Sequence, residues 1–239
     1  MSFFSQQPFD IRLEWGSHAV ELLAQDVDCI IIVDVMSFSS CVSLAAGRGA
    51  RIYPYPWKDA SAEAYADRLG AVTASGTRRF AGQGYSLSPA SLANIAPGTK
   101  LVLPSPNGSA LAFSARDSGA AVFCGGLRNL SATAASCKAY SRILVVAGGE
   151  RWPDGSLRPA LEDWLAAGGI VSLLSDRTPS PEAQAAAAAY RALEPSALRQ
   201  CSSARELIER GFSADVDLCL AVDADESACR LRGDHFIRV

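Results

Sequence analysis

The chain repeats itself. When its 239 residues are slid by 70 without gaps, residues 31–53 fall on residues 101–123. Each copy reads as an apolar strand, a short polar turn, a helix, a Gly-Ala pair (Gly49-Ala50 and Gly119-Ala120) and a second apolar strand. Identity between the copies is low, so the match is one of pattern. A looser third copy runs over 143–174, with Gly168-Gly169 in place of Gly-Ala and a longer turn over 148–158. Runs such as 29–33, and 142–146 after its opening Arg142, are continuously apolar rather than alternating, as in strands buried on both faces. Strand–helix alternation with such strands predicts an α/β fold, three-layered, around a mostly parallel sheet built from repeated strand–turn–helix–strand units. Residues 1–239 are read as a single domain with pseudo-repeats near 29–55, 100–124 and 142–174.

Further strands are expected over 10–15, 51–55, 101–103, 121–124, 170–174 and 218–222. Helices are expected over 17–24, 39–46, 59–69 with Gly70 as the stop, 109–116 and 159–167. One more should start at Pro181 behind the cap Ser180 and carry the alanine run 185–189. Its small face suits close helix contact, within this chain or with a second copy, and the second alternative makes a homodimer an expectation. Residues 75–97, rich in Gly, Ser and Pro, fit neither period and should form a long loop over the active site.

Composition removes several classes. Hydrophobic residues make up 49% and charged residues 20%, a globular balance, and the net charge of −3 leaves no basic footprint for nucleic acid. No apolar run approaches the roughly 18 residues of a membrane span, and the first ten residues lack the order of a signal peptide. The seven cysteines are odd in number, with no C-x-x-C. They read as reduced, small hydrophobes in a cytoplasmic protein. His18 and His235, far apart in the chain, read as surface or packing residues.

Ligands of open α/β sheets bind outside the carboxyl ends of parallel strands. If the repeated strands are parallel, three loops meet at one edge. The first is Asp34-Val35-Met36-Ser37-Phe38-Ser39-Ser40, an acid closing a buried strand with hydroxyls at a helix start. Helix N-termini favour anions, and a carboxylate beside an anion calls for a cation between them. Magnesium bridging carboxylate and phosphate fits that need. The bland alternative makes Asp34 a turn cap. The second loop is Ser105-Pro106-Asn107-Gly108-Ser109; a helix-like segment follows it, so it reads less as a hairpin than as a cradle of backbone donors. The third holds Glu150, Arg151, Asp154 and Arg158, then Glu162 and Asp163 in the first turn of a helix, where carboxylates also serve simply to offset the dipole. No P-loop, dinucleotide fingerprint or G-x-S-x-G elbow is present.

At these residues the sequence resembles the 2-phosphosulfolactate phosphatases, the ComB family, from about Trp15 to Val222. The resemblance rests on Val33-Asp34-Val35-Met36 with Ser39-Ser40, Gly49-Ala50, Pro106-Asn107-Gly108-Ser109 and Gly125-Gly126-Leu127-Arg128-Asn129. It continues through Ala147-Gly148, Leu161-Glu162-Asp163, Leu207 with Gly211-Phe212, and Asp215-Val216. It implies magnesium-dependent hydrolysis of a small acidic phosphomonoester, 2-phosphosulfolactate or a related phosphorylated acid. Asp34, Glu162 and Asp163 are the expected catalytic and metal-binding residues. Ser37, Ser39, Ser40, Asn107, Gly108, Ser109, Arg128 and Arg151 are the expected substrate-binding residues. One position departs: where the family usually has Arg after Asp-Val-Leu, this chain has Ser37 and then Phe38. Arg128, Arg151 and Arg158 are the candidates to replace that charge. The alternatives are a non-catalytic anion-binding module and an enzyme for a non-phosphorylated carboxylate or sulfonate.

Overall fold

A computed structural model describes residues 3–239. In chain order the strands are β1 (Ile11–Trp15), β2 (Cys29–Val33), β3 (Arg51–Tyr55), β4 (Val72–Thr73), β5 (Lys100–Pro104), β6 (Ala121–Gly125), β7 (Ile143–Ala147), β8 (Glu150–Arg151), β9 (Leu157–Arg158), β10 (Cys229–Arg232) and β11 (His235–Arg238). Nine of them form one sheet in the order β1-β7-β2-β6-β10-β11-β3-β5-β4, and β8 and β9 form a separate hairpin. Five ladders of the large sheet are parallel and three antiparallel.

The apolar run of β2 shows why there are layers on both sides. Cys29, Ile31 and Val33 enter one core, and Ile30 and Ile32 enter the other. β7 divides the same way, with Ile143 and Val145 on one face and Leu144 and Val146 on the opposite one. A period of two along a strand buried on both sides demands a helical layer above and another below. Helices Leu130–Cys137, Leu161–Ser172 and Pro181–Ala192 cover the first face. Helices Gly16–Leu23, Phe38–Gly47 and Gly108–Ala115 cover the second.

The 70-residue repeat is real at the level of elements. β2, helix Phe38–Gly47 and β3 are matched by β5, helix Gly108–Ala115 and β6. Both Gly-Ala pairs turn the chain out of their helices with a left-handed glycine, Gly49 at φ +87° and Gly119 at φ +83°. Each unit crosses the sheet in the opposite sense, so β2 lies beside β6 and β3 beside β5.

Three expectations are corrected. The strands carrying the three loops are not all parallel. A C-terminal hairpin, β10–β11, sits between the halves, and its three antiparallel ladders leave β5 running opposite to β2 and β7. The loops meet nonetheless, because sheet twist accumulates. Five strand-to-strand steps from β2 to β5 at about 20–25° each turn the halves by about 100–125°. Second, 170–174 is not a strand. Ile170 lies inside helix Leu161–Ser172, and Gly168-Gly169 is mid-helix. Third, 218–222 is not a strand either, since helix Ser213–Leu220 occupies it. In both places a short apolar run suits a strand or a helix, and the residues before it make it the end of a helix.

Gly168 and Gly169 have a packing role instead. A Cβ on Gly168 would lie 2.1 Å from the Ala186 carbonyl oxygen, and one on Gly169 would lie 2.4 Å from Leu130 Cδ1. The alanine helix, capped by Ser180 Oγ accepting from Ala183 N at 3.2 Å, presses Ala183, Ala186 and Ala187 against this glycine face. The surface that suggested a dimer is therefore occupied within the chain. All seven cysteines are buried and free, as small hydrophobes are. Among the described residues no helix is long and apolar enough to cross a membrane.

Gly168→Ala is expected to destabilise the protein by about 1–3 kcal/mol, because its methyl group has only backbone to displace. Gly47→Ala, with nothing within 4 Å of the added carbon, should be neutral or mildly stabilising. Urea unfolding of both variants checks the contrast.

Candidate active site

Asp34 leaves the carboxyl end of β2 and is buried. Its Oδ2 accepts the backbone N–H of Gly108 at 2.7 Å, and its Oδ1 faces the N–H of Phe38 at 3.4 Å. These N–H groups open the two repeated helices, so both helix N-termini converge on one carboxylate. Gly108 is required for this approach. A Cβ there would lie 2.4 Å from Phe38 Cδ1 and 2.7 Å from Asp34 Oδ2. The Asn-Gly pair is thus neither a hairpin turn nor a left-handed device; it is a close approach between the two repeats.

Asp163, in the first turn of helix Leu161–Ser172, binds backbone with both oxygens. Oδ1 accepts from Val35 N at 2.7 Å and Oδ2 from Gly149 N at 2.8 Å. It ties the loop after β2 to the loop after β7. Glu162 is buried beside it, and its charge, after burial itself, helps push the Cys201 thiol upward. Glu150 accepts from Asn107 Nδ2 at 3.0 Å through Oε2.

The acids act on one another. Burial, with a contribution from the Glu162 charge, raises Asp34 to about 6 against the pull of its two N–H donors. Burial and the Asp34 charge raise Glu150 to about 7. Burial, Asp34 and Glu162 together push Asp163 well above the ordinary carboxylate range.

A cleft of about 210 Å³ opens beside this group. Asp34, Ser37, Asn107 and Glu150 line it, together with the cations Lys58, Arg78 and Arg210. Arg78 comes from the 75–97 loop and donates through Nη2 to Ser37 Oγ at 2.9 Å. The loop expected over the site does reach it. Burial and the neighbouring Arg78 charge hold the Lys58 ammonium below its ordinary value. Helix Ser202–Glu209 adds Ser203, Glu206 and Leu207 to the wall.

Several expected ligands are used elsewhere. Ser39 Oγ accepts from Asp34 N at 2.9 Å, Ser40 Oγ donates to Val35 O at 2.8 Å, and Ser109 Oγ donates to Leu103 O at 2.6 Å. These hydroxyls close the strand-to-helix turns and do not line the cleft. Arg128 is buried in a two-pronged ion pair with Asp225, at 2.8 and 3.0 Å, and also donates to Leu218 O. Arg151 donates to Gly155 O within the β8–β9 hairpin, where Asp154 accepts from Ser156. Arg158 donates to Ser203 Oγ at 3.2 Å without lining the cleft. None of these three arginines faces Ser37; Arg78 does. His18 pairs with Glu21 on the surface, and His235 packs on Tyr53. Lys58, Arg78 and Arg210 carry no motif of their own; only the odd composition of 75–97 pointed toward one of them.

Gly108→Ala should fold with a loss of about 1–3 kcal/mol, as overpacking costs. Its turnover should fall about 100-fold, the cost of displacing a positioned group by about 1 Å. Urea unfolding and kcat on one protein preparation measure both.

A family model described as 2-phosphosulpholactate phosphatase matches residues 18–233. That span contains both repeats, the Asp34 and Asn107-Gly108 loops, the acids at 150, 162 and 163, and the loop bearing Arg78. No curated protein matches the chain. With nine-tenths of its length inside that match, the chain belongs to the 2-phosphosulpholactate phosphatase family, a family of phosphoric monoester hydrolases.

Proposed function

We propose that the protein hydrolyses a small phosphomonoester carrying a further acid group, 2-phosphosulfolactate or a related phosphorylated acid, with magnesium as the assisting ion. The observation that carries this reading is the division of charge in the cleft. Asp34 and Glu150 form an acidic group, and Lys58, Arg78 and Arg210 line the same cleft as cations, the last paired with Glu206 at 2.9 Å. A phosphoester held through a metal on the carboxylates leaves its second acid group to the cations.

The donor set fits magnesium. Asp34 and Glu150 are hard oxygen donors, raised to about 6 and about 7 chiefly by burial, with the neighbouring acids adding to it. Among the described residues no three acidic, histidine or cysteine side chains converge to cage an ion unaided. Magnesium does not need that, since it keeps several waters and takes one or two carboxylates plus phosphate oxygens. Asp34 and Glu150 are the residues that would hold it. Neither Asp163, whose two oxygens each accept an N–H, nor Glu162 lines the cleft, so both support the site from behind. When bound, the ion would neutralise phosphoryl oxygens and orient the attacking water. The protein's own part is positional. Asn107 orients the Glu150 carboxylate, the two helix starts hold Asp34, and Ser37 and Arg78 present donors to the substrate anion.

A matched pair of substrates tests this. Phosphoglycolate and ethyl phosphate have the same two-carbon length, but only the first has a second acid group. Turnover of phosphoglycolate should exceed that of ethyl phosphate and collapse after chelation of divalent ions. Equal rates on the two esters, or full activity in chelator, would overturn the reading. Arg78→Met should raise KM for phosphoglycolate by about 10- to 100-fold, the worth of one charge-assisted hydrogen bond.

The acids also predict a pH effect on stability. Their values are raised in the folded state, so the fold binds more protons than the unfolded chain between about pH 4 and pH 7. The resulting stability is complete below about pH 4 and is lost as pH rises through about 6 and 7, the values of Asp34 and Glu150. Lys58 at Asp34 and Arg158 at Glu150 offset part of it. Magnesium competes with those protons, so its increase in Tm should be larger at pH 8 than at pH 5.5. Equal increases at both values would remove the ion from this pair.

A further inference from the structure

The loop that delivers Arg78 is tied down by one buried carboxylate. Asp215, in helix Ser213–Leu220, accepts from Arg78 Nη1 at 2.6 Å, Ser88 Oγ at 2.7 Å and Ala90 N at 2.9 Å. The Arg78 guanidinium lies over the Phe212 ring, 5.5 Å from its centroid, and Phe80 stacks on the same ring at 4.5 Å. Through its other terminal nitrogen Arg78 reaches Ser37 Oγ at 2.9 Å. Arg78 and Ser37 line the cleft, whereas Asp215 does not. A carboxylate 1% exposed, and removed from the cleft, can influence a substrate only through the group it holds. An arginine has about 2 kcal/mol of rotamer freedom to lose, and an ion pair that takes it in advance leaves less for the ligand to supply.

We propose that Asp215 is a positioning residue of the active site: it holds the Arg78 guanidinium against Ser37 and so sets the affinity for the acid group of the substrate. This rests on the reading of Arg78 given above.

The test compares the parent with Asp215→Asn, Arg78→Met, their double variant and Ser88→Ala. KM and kcat are measured for phosphoglycolate and ethyl phosphate at saturating magnesium. Asp215→Asn should raise KM for phosphoglycolate about 10-fold or more, with kcat within about threefold, since a charged hydrogen bond is lost from positioning and not from chemistry. Its KM for ethyl phosphate should stay at the parent value. The double variant should be no worse than Arg78→Met alone, because the two residues act in series. Ser88→Ala removes another partner of Asp215 and leaves Arg78 in place, so it should behave like the parent.

Equal defects on both esters, additive effects in the double variant, or a Ser88→Ala defect matching that of Asp215→Asn would each overturn the proposal. They would make Asp215 an anchor of the loop and nothing more. Should Asp215→Asn not fold, Asp215→Glu carries the test. It keeps the charge, displaces the guanidinium, and should raise KM for phosphoglycolate selectively; no selectivity overturns the proposal. An Arg78→Met defect with parent-like Asp215→Asn rejects only the positioning role. Parent-like Arg78→Met rejects the reading of Arg78 itself, and the positioning role with it.

Discussion

The buried carboxylate of Asp34 is the point on which the structure turns. Two helices from two copies of one pattern end on it, one through Phe38 N–H and the other through Gly108 N–H. An isolated buried carboxylate is costly. Here backbone donors and two helix dipoles offset part of the cost. The approach is so close that only hydrogen fits on the Gly108 α-carbon in the place of a side chain. Because the two helices come from opposite halves of the sheet, this contact also sets where β3 and β5 stand relative to β2 and β6.

Around that point, charge is concentrated beyond what folding alone would favour. Asp34, Glu150, Glu162 and Asp163 are held together, and three of them are pushed upward by burial and by one another. Asp163 illustrates how the fold tolerates this, since it joins two loops through two backbone N–H groups. Sites of this kind are where proteins depart from their lowest-energy choices, and the departure is informative about function. The cations of the cleft come from three separate parts of the chain, and Arg78 is itself held by an acid 137 residues away.

Much of the site was readable in advance, and the misses share one cause. Asp34, Asn107 and Gly108 are legible as neighbours of one candidate site because a strand end followed by a helix start is a local pattern. Glu150 was placed in the right loop. Ser39, Ser40 and Ser109 were read as anion donors, yet their hydroxyls complete the turns that make the helix starts. Local hydrogen bonding to the backbone and ligand binding demand the same residue types at the same positions, so sequence does not separate them. Arg128 carries the same ambiguity in another form, because a buried ion pair and a substrate ligand both call for arginine.

The sequence by itself determined the elements of the repeat, the two-faced burial of β2 and β7 and the glycine turns at 49 and 119. These follow from periodicity and backbone sterics over a few residues. It did not determine that 170–174 and 218–222 are helical, nor that residues 229–238 enter the middle of the sheet as a hairpin. Short apolar segments satisfy either period until neighbours are present to choose. Only the tertiary structure decided which residues face the cleft. Strand order, the antiparallel hairpin between the halves and the summed twist of the sheet carry Lys58, Arg78 and Glu150 to the same place as Asp34. No local rule records distances between residues so far apart in the chain; they arise from packing the whole molecule at once.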